Sequence, residues 1–334
     1  MLLADRIQLL VELGKYMESD HDEWVNVKQK AFEENNWFEP AFINLAVKNI
    51  VTEFLDEKKL SLWANDYDLP AENPNPVNVG LVMAGNIPLV GFHDFLSIFI
   101  SGHKQLIKAS AKDHLLIEHL ANQLCRFSSE SQNMIRFAEM LKGCDAYIAT
   151  GSNNSARYFD YYFGKFPHII RRNRTSVAIL NGTESDSDLD KLADDVYQYF
   201  GLGCRNVTKI FVPNGYDFIA LLGAFKKYDW EATHNKYKNN YDYQLALLIL
   251  NKKYYMTNSS IILTENPSPF SPISVLHFQY YSDIGEITAF RPNNQEIQTV
   301  VGAGFTPFGA TQKPSLTDYA DGIDTLQFLH NLKL

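Results

Sequence analysis

The 334-residue sequence contains little cysteine, with only three residues of this type: Cys125, Cys144 and Cys204. Three scattered cysteines build neither a disulfide framework nor a zinc site, so we expect a cytoplasmic protein without a bound metal. The chain also lacks an apolar run of 18 residues, and Asp5, Arg6 and Glu12 interrupt the apolar pattern at its start. It therefore predicts neither a membrane-spanning segment nor a signal peptide.

An excess of basic charge is missing as well. Asp and Glu number 39 against 30 Lys and Arg, which gives a formal net charge of −9. Because nucleic-acid binding needs a net basic surface, nucleic acid is excluded as a main partner. What the chain does have is 46% apolar residues. That content fills a sizeable core, and the length indicates two domains or one large α/β domain with an insertion.

The periodicity of the apolar residues changes near residue 77. Residues 4–64 show helical spacing, and Pro70, Pro74 and Pro76 mark a linker. From Val77 onward short strand-like and helix-like runs alternate. This alternation predicts a doubly wound parallel sheet, in which ligands bind at the carboxyl ends of the strands.

Cys204 is the first candidate for chemistry. It lies in the glycine-flanked segment Gly201-Leu202-Gly203-Cys204-Arg205, between a helix-like run and the strand-like run Val207–Val212. Flexible backbone that permits close approach is the setting that a covalent nucleophile needs. A lone cysteine is more often a small buried apolar residue, so its local context leaves both roles open.

Two further segments follow predicted strands. Asn86, directly after Gly85, can donate its side-chain amide to an oxyanion, although a turn Asn that bonds its own backbone is commoner. Gly151 and Ser152 open a predicted helix, whose free N–H groups can bind a pyrophosphate. Serine at this position is also an ordinary helix cap.

Lys108 ends another predicted strand and can reach a ribose hydroxyl or a phosphate. Position 111 is Ala, and Lys104 and Lys112 lie nearby in the sequence. A carboxylate would chelate a bare ribose, whereas lysines attract a 2′-phosphate. This pattern therefore favours a phosphorylated dinucleotide.

For the remaining polar candidates, a role outside catalysis and ligand binding is the more frequent case. The basic run Arg171-Arg172-Asn173-Arg174 is interpreted as a solvated loop rather than an anion site. His93 and His168 are candidate acid/base groups, but a structural histidine is the more frequent case.

Together the segments resemble the aldehyde dehydrogenase superfamily, over residues 77–330. Gly85-Asn86-Ile87-Pro88-Leu89 is similar to the family's W-N-F-P-L, and Lys108-Ala109-Ser110 to its K-P-S. Thr150-Gly151-Ser152 is similar to F-T-G-S, and Phe200–Cys204 to F-x-x-x-G-Q-x-C. Weaker matches follow in the same order: Asp188-Leu189-Asp190, Lys209–Val212, Phe270-Ser271-Pro272 and Pro307-Phe308-Gly309.

This resemblance implies an aldehyde-dehydrogenase-like doubly wound parallel sheet with a second α/β domain. Residues 1–76 form a helical segment and linker, and 77–200 the dinucleotide-binding domain. Residues 201–305 form the domain of the catalytic thiol, Cys204, and 306–334 return to the first domain.

The same resemblance implies roles for individual residues. Cys204 is the nucleophile and Asn86 holds the oxyanion. The expected cofactor is NADPH, with NADH as the alternative. The residues implied to bind it are Gly85, Lys108, Ser110, Gly151 and Ser152.

Departures from the family pattern narrow the expected activity. The family's hydrolytic glutamate falls near Ile170, where no carboxylate is present, and Ser268 stands at the position of its ribose-binding glutamate. Without that base, an acyl group on Cys204 exchanges with a thiol rather than with water. With the reduced length, these features most resemble the LuxC-type fatty acid reductases of bacterial luminescence.

The expected activity is therefore NADPH-dependent reduction of an acyl-CoA thioester, with a fatty acyl group, to the aldehyde. Another acyl thioester is an alternative substrate, and an acyl-transferring protein is a candidate partner. Two alternatives remain open: NAD-dependent aldehyde oxidation on the same fold, and a non-catalytic subunit that binds a partner.

Overall fold

The computed structural model describes residues 1–283, 285, 287 and 295–332. The chain forms two compact units. Unit 1 is Met1–Asn173 together with the chain from Pro314, and unit 2 is Arg174–Lys313. Each unit contains one sheet. Every helix among the described residues is too short or too polar to cross a lipid bilayer.

Unit 1 begins with four helices, as the helical spacing predicts. They are α1 (Leu3–Met17), α2 (Asp22–Glu34), α3 (Pro40–Phe54) and α4 (Glu57–Asp66). Each helix buries an apolar face, and Leu10, Leu13 and Trp24 have no exposed surface. Asp56 caps α4 by accepting a hydrogen bond from the N–H of Lys59 at 2.9 Å.

The sheet of unit 1 has five parallel strands in the order β3-β2-β1-β4-β5. They are β1 (Asn78–Val82), β2 (Lys104–Lys108), β3 (Ile135–Phe137), β4 (Ala146–Thr150) and β5 (His168–Arg171). Three helices connect them: α5 (Phe92–Ile100), α6 (His114–Phe127) and α7 (Asn153–Phe163). The order reverses between β1 and β4, so the predicted doubly wound parallel sheet is confirmed. The sequence did not indicate β3, which has only three residues, or β5, which begins and ends in a polar residue.

Unit 2 holds a six-stranded sheet in the order β11-β6-β7-β10-β9-β8. Its strands are β6 (Thr175–Ile179), β7 (Val207–Pro213), β8 (Met256–Thr257), β9 (Ile262–Glu265), β10 (Val275–Tyr281) and β11 (Ile297–Gly302). Only the short β8 pairs antiparallel among these strands. Its helices include α8 (Asp186–Tyr197), α9 (Phe218–Ala224) and α10 (Asn235–Leu250). The second α/β unit is therefore confirmed.

Helix α8 ends earlier than the sequence suggests. Its apolar pattern runs on to Phe200, but the helix stops at Tyr197. Tyr199 and Phe200 take positive φ angles of 58° and 57°, so the chain leaves the right-handed helix there. This early ending sets up the backbone that leads to Cys204.

The C-terminal segment packs within unit 1. It contains α11 (Thr325–His330), whose Leu326 and Leu329 are fully buried. Nε2 of the buried His103 lies 3.0 Å from the Leu329 carbonyl oxygen. The two compact units do not correspond one to one with the four segments predicted from the sequence. The boundaries of those four segments remain predictions.

Candidate active site

The carboxyl edge of the unit 1 sheet brings together predicted cofactor residues. Val82 pairs with Lys108 in β2 and with Ala149 in β4, so all three strands end at the same level. This is the point where the strand order reverses, the usual ligand crevice of such sheets. Lys108 is exposed there, and no carboxylate pairs with it among the described residues.

Gly85 and Ser110 touch each other at this edge. A Cβ atom at Gly85 would lie 2.5 Å from Oγ of Ser110 and 2.6 Å from its Cβ. Such separations are too short for any side chain, so only glycine fits. The two predicted cofactor residues, Gly85 and Ser110, therefore pack directly against each other beside the end of β2.

Gly151 and Ser152 lie where β4 passes into α7. Oγ of Ser152 accepts a hydrogen bond from the N–H of Ser155 at 3.2 Å, so its side chain caps the helix. The ordinary capping role is thus present. The first N–H groups of α7 also stand at the edge that holds Lys108, a position that favours anions. Pyrophosphate binding there remains a prediction.

Asn86 is exposed at the start of the turn that follows β1. The next residues are held by the buried Asp113, whose Oδ2 accepts a hydrogen bond from the N–H of Leu89 at 2.7 Å. Leu89 has a φ of +56°. Oδ1 of Asp113 is buried and has no hydrogen-bond partner in the described part of the chain.

Burial raises the pKa of Asp113 well above its ordinary range, against the opposing effect of the Leu89 N–H. Burial thus disfavours the charged form of this carboxyl next to the Asn86 turn. The sequence showed Asp113 only as a helix-start residue. The structure adds its contact with the turn, which no local pattern reveals.

The residues at this edge fit a dinucleotide. Lys108 offers an exposed cation and the first turn of α7 offers N–H groups, while the Gly85–Ser110 contact packs the turn that follows β1 against the end of β2. Ala111 brings no carboxylate to this edge. These are the donor types that phosphates and a 2′-phosphate require.

Cys204 lies in unit 2, half-buried on the turn that precedes β7. Oγ of Ser176 donates a hydrogen bond to the Cys204 carbonyl at 3.2 Å. The side chain of Asn206 closes the turn, since its Oδ1 accepts a hydrogen bond from the N–H of Gly203 at 2.8 Å. The turn is therefore held by specific contacts rather than loosened by its glycines, of which only Gly201 has a positive φ, of 70°.

A second loop of unit 2, residues 267–270, carries Ser268. Side chains of β7 and β10 form hydrogen bonds with three consecutive carbonyls of this loop. Nζ of Lys209 donates to the Pro267 carbonyl at 2.7 Å, and Oγ1 of Thr208 to that of Pro269 at 2.6 Å. Nδ1 of His277 lies 3.0 Å from the Ser268 carbonyl.

The side chains of Lys209 and Ser268 both make hydrogen bonds within this part of the unit. Burial lowers the pKa of Lys209 to about 8, and its Nζ also donates to Oε1 of Gln279 at 2.7 Å. The Ser268 hydroxyl donates to the Phe270 carbonyl at 3.0 Å. Ser268 thus serves the loop, and the family's ribose contact has no evident substitute at this position.

Asp195, at the end of α8, holds the Pro307-Phe308-Gly309 turn. Its carboxylate accepts hydrogen bonds from the N–H of Gly309 at 2.7 Å and from the N–H and hydroxyl of Thr311 at 3.1 and 2.7 Å. Burial raises the pKa of Asp195 to about 6, although these hydrogen bonds lower it. No local pattern in the sequence indicates this contact.

The interpretation of the basic run as a solvated loop is wrong for Arg171. Its side chain is 2% exposed, pairs with Asp94 of α5, and donates to Oγ1 of Thr325 at 2.6 Å. Arg172 is exposed as expected and pairs with Asp160 at 2.9 Å. The guanidinium of Arg171 ties β5 to two helices of unit 1, which a solvated loop would not do.

The two candidate histidines have different surroundings. Nε2 of His93 lies 2.9 Å from the Leu316 carbonyl, and its ring packs edge-on against Phe54 and Tyr319. His168 is exposed, with Nδ1 2.8 Å from the Phe166 carbonyl. The structural interpretation thus suits His93. Within the described part of the chain, His, Cys, Asp and Glu form no group able to hold a metal ion.

No protein-family model matches the chain, and no curated protein sequence matches it significantly. Solved structures do. Aldehyde dehydrogenase 21 from Physcomitrella patens, solved with the reaction product succinate, has a TM-score of 0.65 at 12% identity, over 90% of this chain and 74% of that one. A mutant aldehyde dehydrogenase from Bacillus cereus has a TM-score of 0.65 at 13% identity, over 90% and 72%.

A third similar structure is an aldehyde dehydrogenase from Mycobacterium tuberculosis complexed with NAD⁺. Its TM-score is 0.63 at 13% identity, over 86% of this chain and 70% of that one. At such identities the similarity concerns the fold. The sequence motifs and the structural neighbours agree on one architecture: the chain has the aldehyde dehydrogenase fold.

Proposed function

We propose that this protein reduces an acyl-CoA, preferentially a fatty acyl-CoA, to the aldehyde with NADPH, through an acyl group carried on Cys204. The observation that carries this proposal is the half-buried Cys204 on a turn fixed by Ser176 and Asn206, in a chain with the aldehyde dehydrogenase fold. A thiol held in this way suits nucleophilic attack better than core packing.

In the proposed reaction the Cys204 thiolate attacks the thioester carbonyl carbon. A new C–S bond to Cys204 forms, the C–S bond to CoA breaks, and CoA leaves as a thiolate that takes up a proton. We assign Asn86 to donate its side-chain amide to the oxyanion that develops. Asp113, through the Leu89 N–H, keeps the turn after Asn86 in place.

Five residues of unit 1 would hold the cofactor: Gly85, Lys108, Ser110, Gly151 and Ser152. Lys108 and the α7 N-terminus would supply positive charge for the phosphates, and the Gly85–Ser110 contact fixes the turn after β1 against the end of β2. When bound, the nicotinamide supplies the hydride that converts the thioester to aldehyde and returns the Cys204 thiol. The absence of a carboxylate at Ala111 favours the 2′-phosphate of NADPH over NADH.

Reduction is preferred to hydrolysis because the position of the family's water-activating glutamate falls near Ile170 in β5, where no carboxylate is present. The neighbouring Arg171 is a cation already paired with Asp94, so it does not act as a base. The second candidate, NAD-dependent aldehyde oxidation, is favoured by the fold shared with an aldehyde dehydrogenase complexed with NAD⁺. A non-catalytic, partner-binding subunit is the third.

The experiment is mass spectrometry of the intact protein after incubation with a series of acyl-CoAs and no reductant. We expect one acyl adduct, which Cys204→Ala abolishes and the matched controls Cys125→Ala and Cys144→Ala retain. Addition of NADPH then releases aldehyde. An adduct that survives in Cys204→Ala refutes the mechanism.

The same samples separate the alternatives. Steady carboxylate formation from an aldehyde with NAD⁺ and without CoA supports the oxidative reaction. No adduct together with no NADPH binding in calorimetry supports the non-catalytic subunit.

A further inference from the structure

Asn206 occupies an unusual position two residues after Cys204. It is 0% exposed, and all of its side-chain polar atoms are used. The two N–H groups of Nδ2 are shared among the carbonyls of Asp195, Val196 and Gln198, at 3.2, 3.3 and 2.8 Å. Its Oδ1 accepts a hydrogen bond from the N–H of Gly203 at 2.8 Å. One side chain therefore joins the end of α8 to the Cys204 turn.

The end of α8 requires such a donor. Because Tyr199 and Phe200 adopt left-handed φ angles, the carbonyls of the last helical turn lose the N–H partners that a continuing helix would supply. The amide of Asn206 takes the place of those donors. It thereby stabilises a backbone conformation that aromatic residues rarely adopt.

The main chain of Asn206 closes the turn from the other side. Its N–H donates to the Gly203 carbonyl at 3.1 Å, and its carbonyl accepts a hydrogen bond from the N–H of Ser176 in β6 at 3.1 Å. Cys204 thus lies between Gly203 and Asn206, whose backbone and side chain bond to each other. The backbone of Cys204, which carries the thiol side chain, is therefore flanked on both sides by hydrogen-bonded residues.

We infer that Asn206 is the positioning residue of the Cys204 thiol: by joining the α8 carbonyls to the Gly203 N–H, it limits the orientations in which the thiol is presented. This inference rests on the proposed role of Cys204 as nucleophile. Acyl transfer depends steeply on the direction of attack, and a misplacement of about 1 Å can cost about 100-fold in rate. Reaction with a small, mobile alkylating reagent depends mainly on access to the thiolate.

The test compares these two reactions in Asn206→Ala, in a Cys125→Ala, Cys144→Ala background where only Cys204 reacts. The matched control is Asn258→Ala. Asn258 is a turn asparagine of unit 2 that also uses both side-chain ends, accepting from the N–H of Ser260 at 3.1 Å and donating to the Leu222 carbonyl at 3.3 Å.

We expect Asn206→Ala to slow acylation of Cys204 by acyl-CoA at least tenfold, while alkylation by iodoacetamide becomes at least threefold faster because the half-buried thiol is released. Asn258→Ala, at a similar loss of thermal stability, should change both rates less than twofold. Acylation by Asn206→Ala within twofold of this control would overturn the inference.

Asn206→Asp provides a second variant in case the alanine variant does not fold. It keeps the volume and the acceptor for Gly203 but replaces the donor by a carboxylate. When this carboxylate is protonated it regains one O–H donor for the α8 carbonyls. We expect its acylation rate, relative to the unsubstituted protein, to rise as the pH falls; a ratio that is flat with pH contradicts the inference.

Failure of the proposed function is distinguishable from failure of this inference. If the unsubstituted protein forms no acyl adduct, the proposed function fails. The alkylation rates still decide on Asn206, since they require no acyl chemistry. Equal alkylation rates in Asn206→Ala and Asn258→Ala then refute the positioning role.

Discussion

The buried carboxyl of Asp195 makes the stability of unit 2 depend on pH in an uncommon direction. Its pKa is raised from an ordinary 3.8 to about 6, chiefly by burial. A carboxyl with a raised pKa binds its proton more tightly in the folded state than in the unfolded one. The contribution of Asp195 to stability is therefore greatest when its carboxyl is protonated, and it falls as the pH rises from about 4 to about 6.

The magnitude follows from the same pKa. Each pKa unit corresponds to ~1.4 kcal/mol, so ionisation of Asp195 costs the folded state ~3 kcal/mol once the pH is above about 6. Asp195→Asn removes the ionisation while preserving the shape and an acceptor for the N–H of Gly309 or Thr311. We expect this variant to match the unsubstituted protein near pH 4 and to exceed its stability by up to ~3 kcal/mol at pH 7.

The assay is urea unfolding at pH 4, 5, 6 and 7, followed by circular dichroism. Asp190→Asn is the matched control, because Asp190 lies on the same helix with its side chain exposed. Its difference from the unsubstituted protein should stay nearly constant with pH. If Asp195→Asn becomes less stable than the unsubstituted protein as the pH rises, the hydrogen bonds from Gly309 and Thr311 outweigh burial, and the reasoning is refuted.

Two further predictions concern buried groups of unit 1. Asp94→Ala leaves the buried Arg171 without its ion pair and should lower the free energy of unfolding by ~3–5 kcal/mol. Asp160→Ala, which removes an exposed ion pair, should cost less than ~1 kcal/mol in the same urea titration. Asp113→Ala should cost ~1–3 kcal/mol, because the Leu89 N–H loses its acceptor. Asp113→Asn keeps an acceptor and should cost much less; equal losses in thermal melts would contradict this role.

The motif residues at the sheet edge were predictable because their signals are local. A buried β-branched run followed by Gly85 or Gly151 indicates a strand end, and parallel strands place such ends on one edge. The structure adds that Gly85 touches Ser110. That contact joins residues 25 positions apart in the sequence, so no periodicity indicates it.

The polar contacts between residues far apart in the sequence were not predictable from it. Arg171 appeared to belong to a solvated loop because its neighbours in the sequence are polar, whereas its partner Asp94 lies 77 positions away. The early end of α8 has a similar cause. Its apolar pattern continues to Phe200, and the donor that stabilises the break comes from Asn206, beyond the turn. Propensity describes each segment alone and does not include such partners.

The residues that hold the candidate site differ in kind from those that the motifs identify. Cys204, Asn86 and Lys108 are half-buried or exposed, as the roles proposed for them require. Asn206 and Asp113 are buried, and each bonds the backbone of a turn next to one of them. Because a buried polar side chain is costly unless its contacts compensate, its presence beside a residue of the candidate site is a physical reason to test it for a positioning role. The variants Asn206→Ala and Asp113→Ala therefore test the proposed function more selectively than changes in the apolar core.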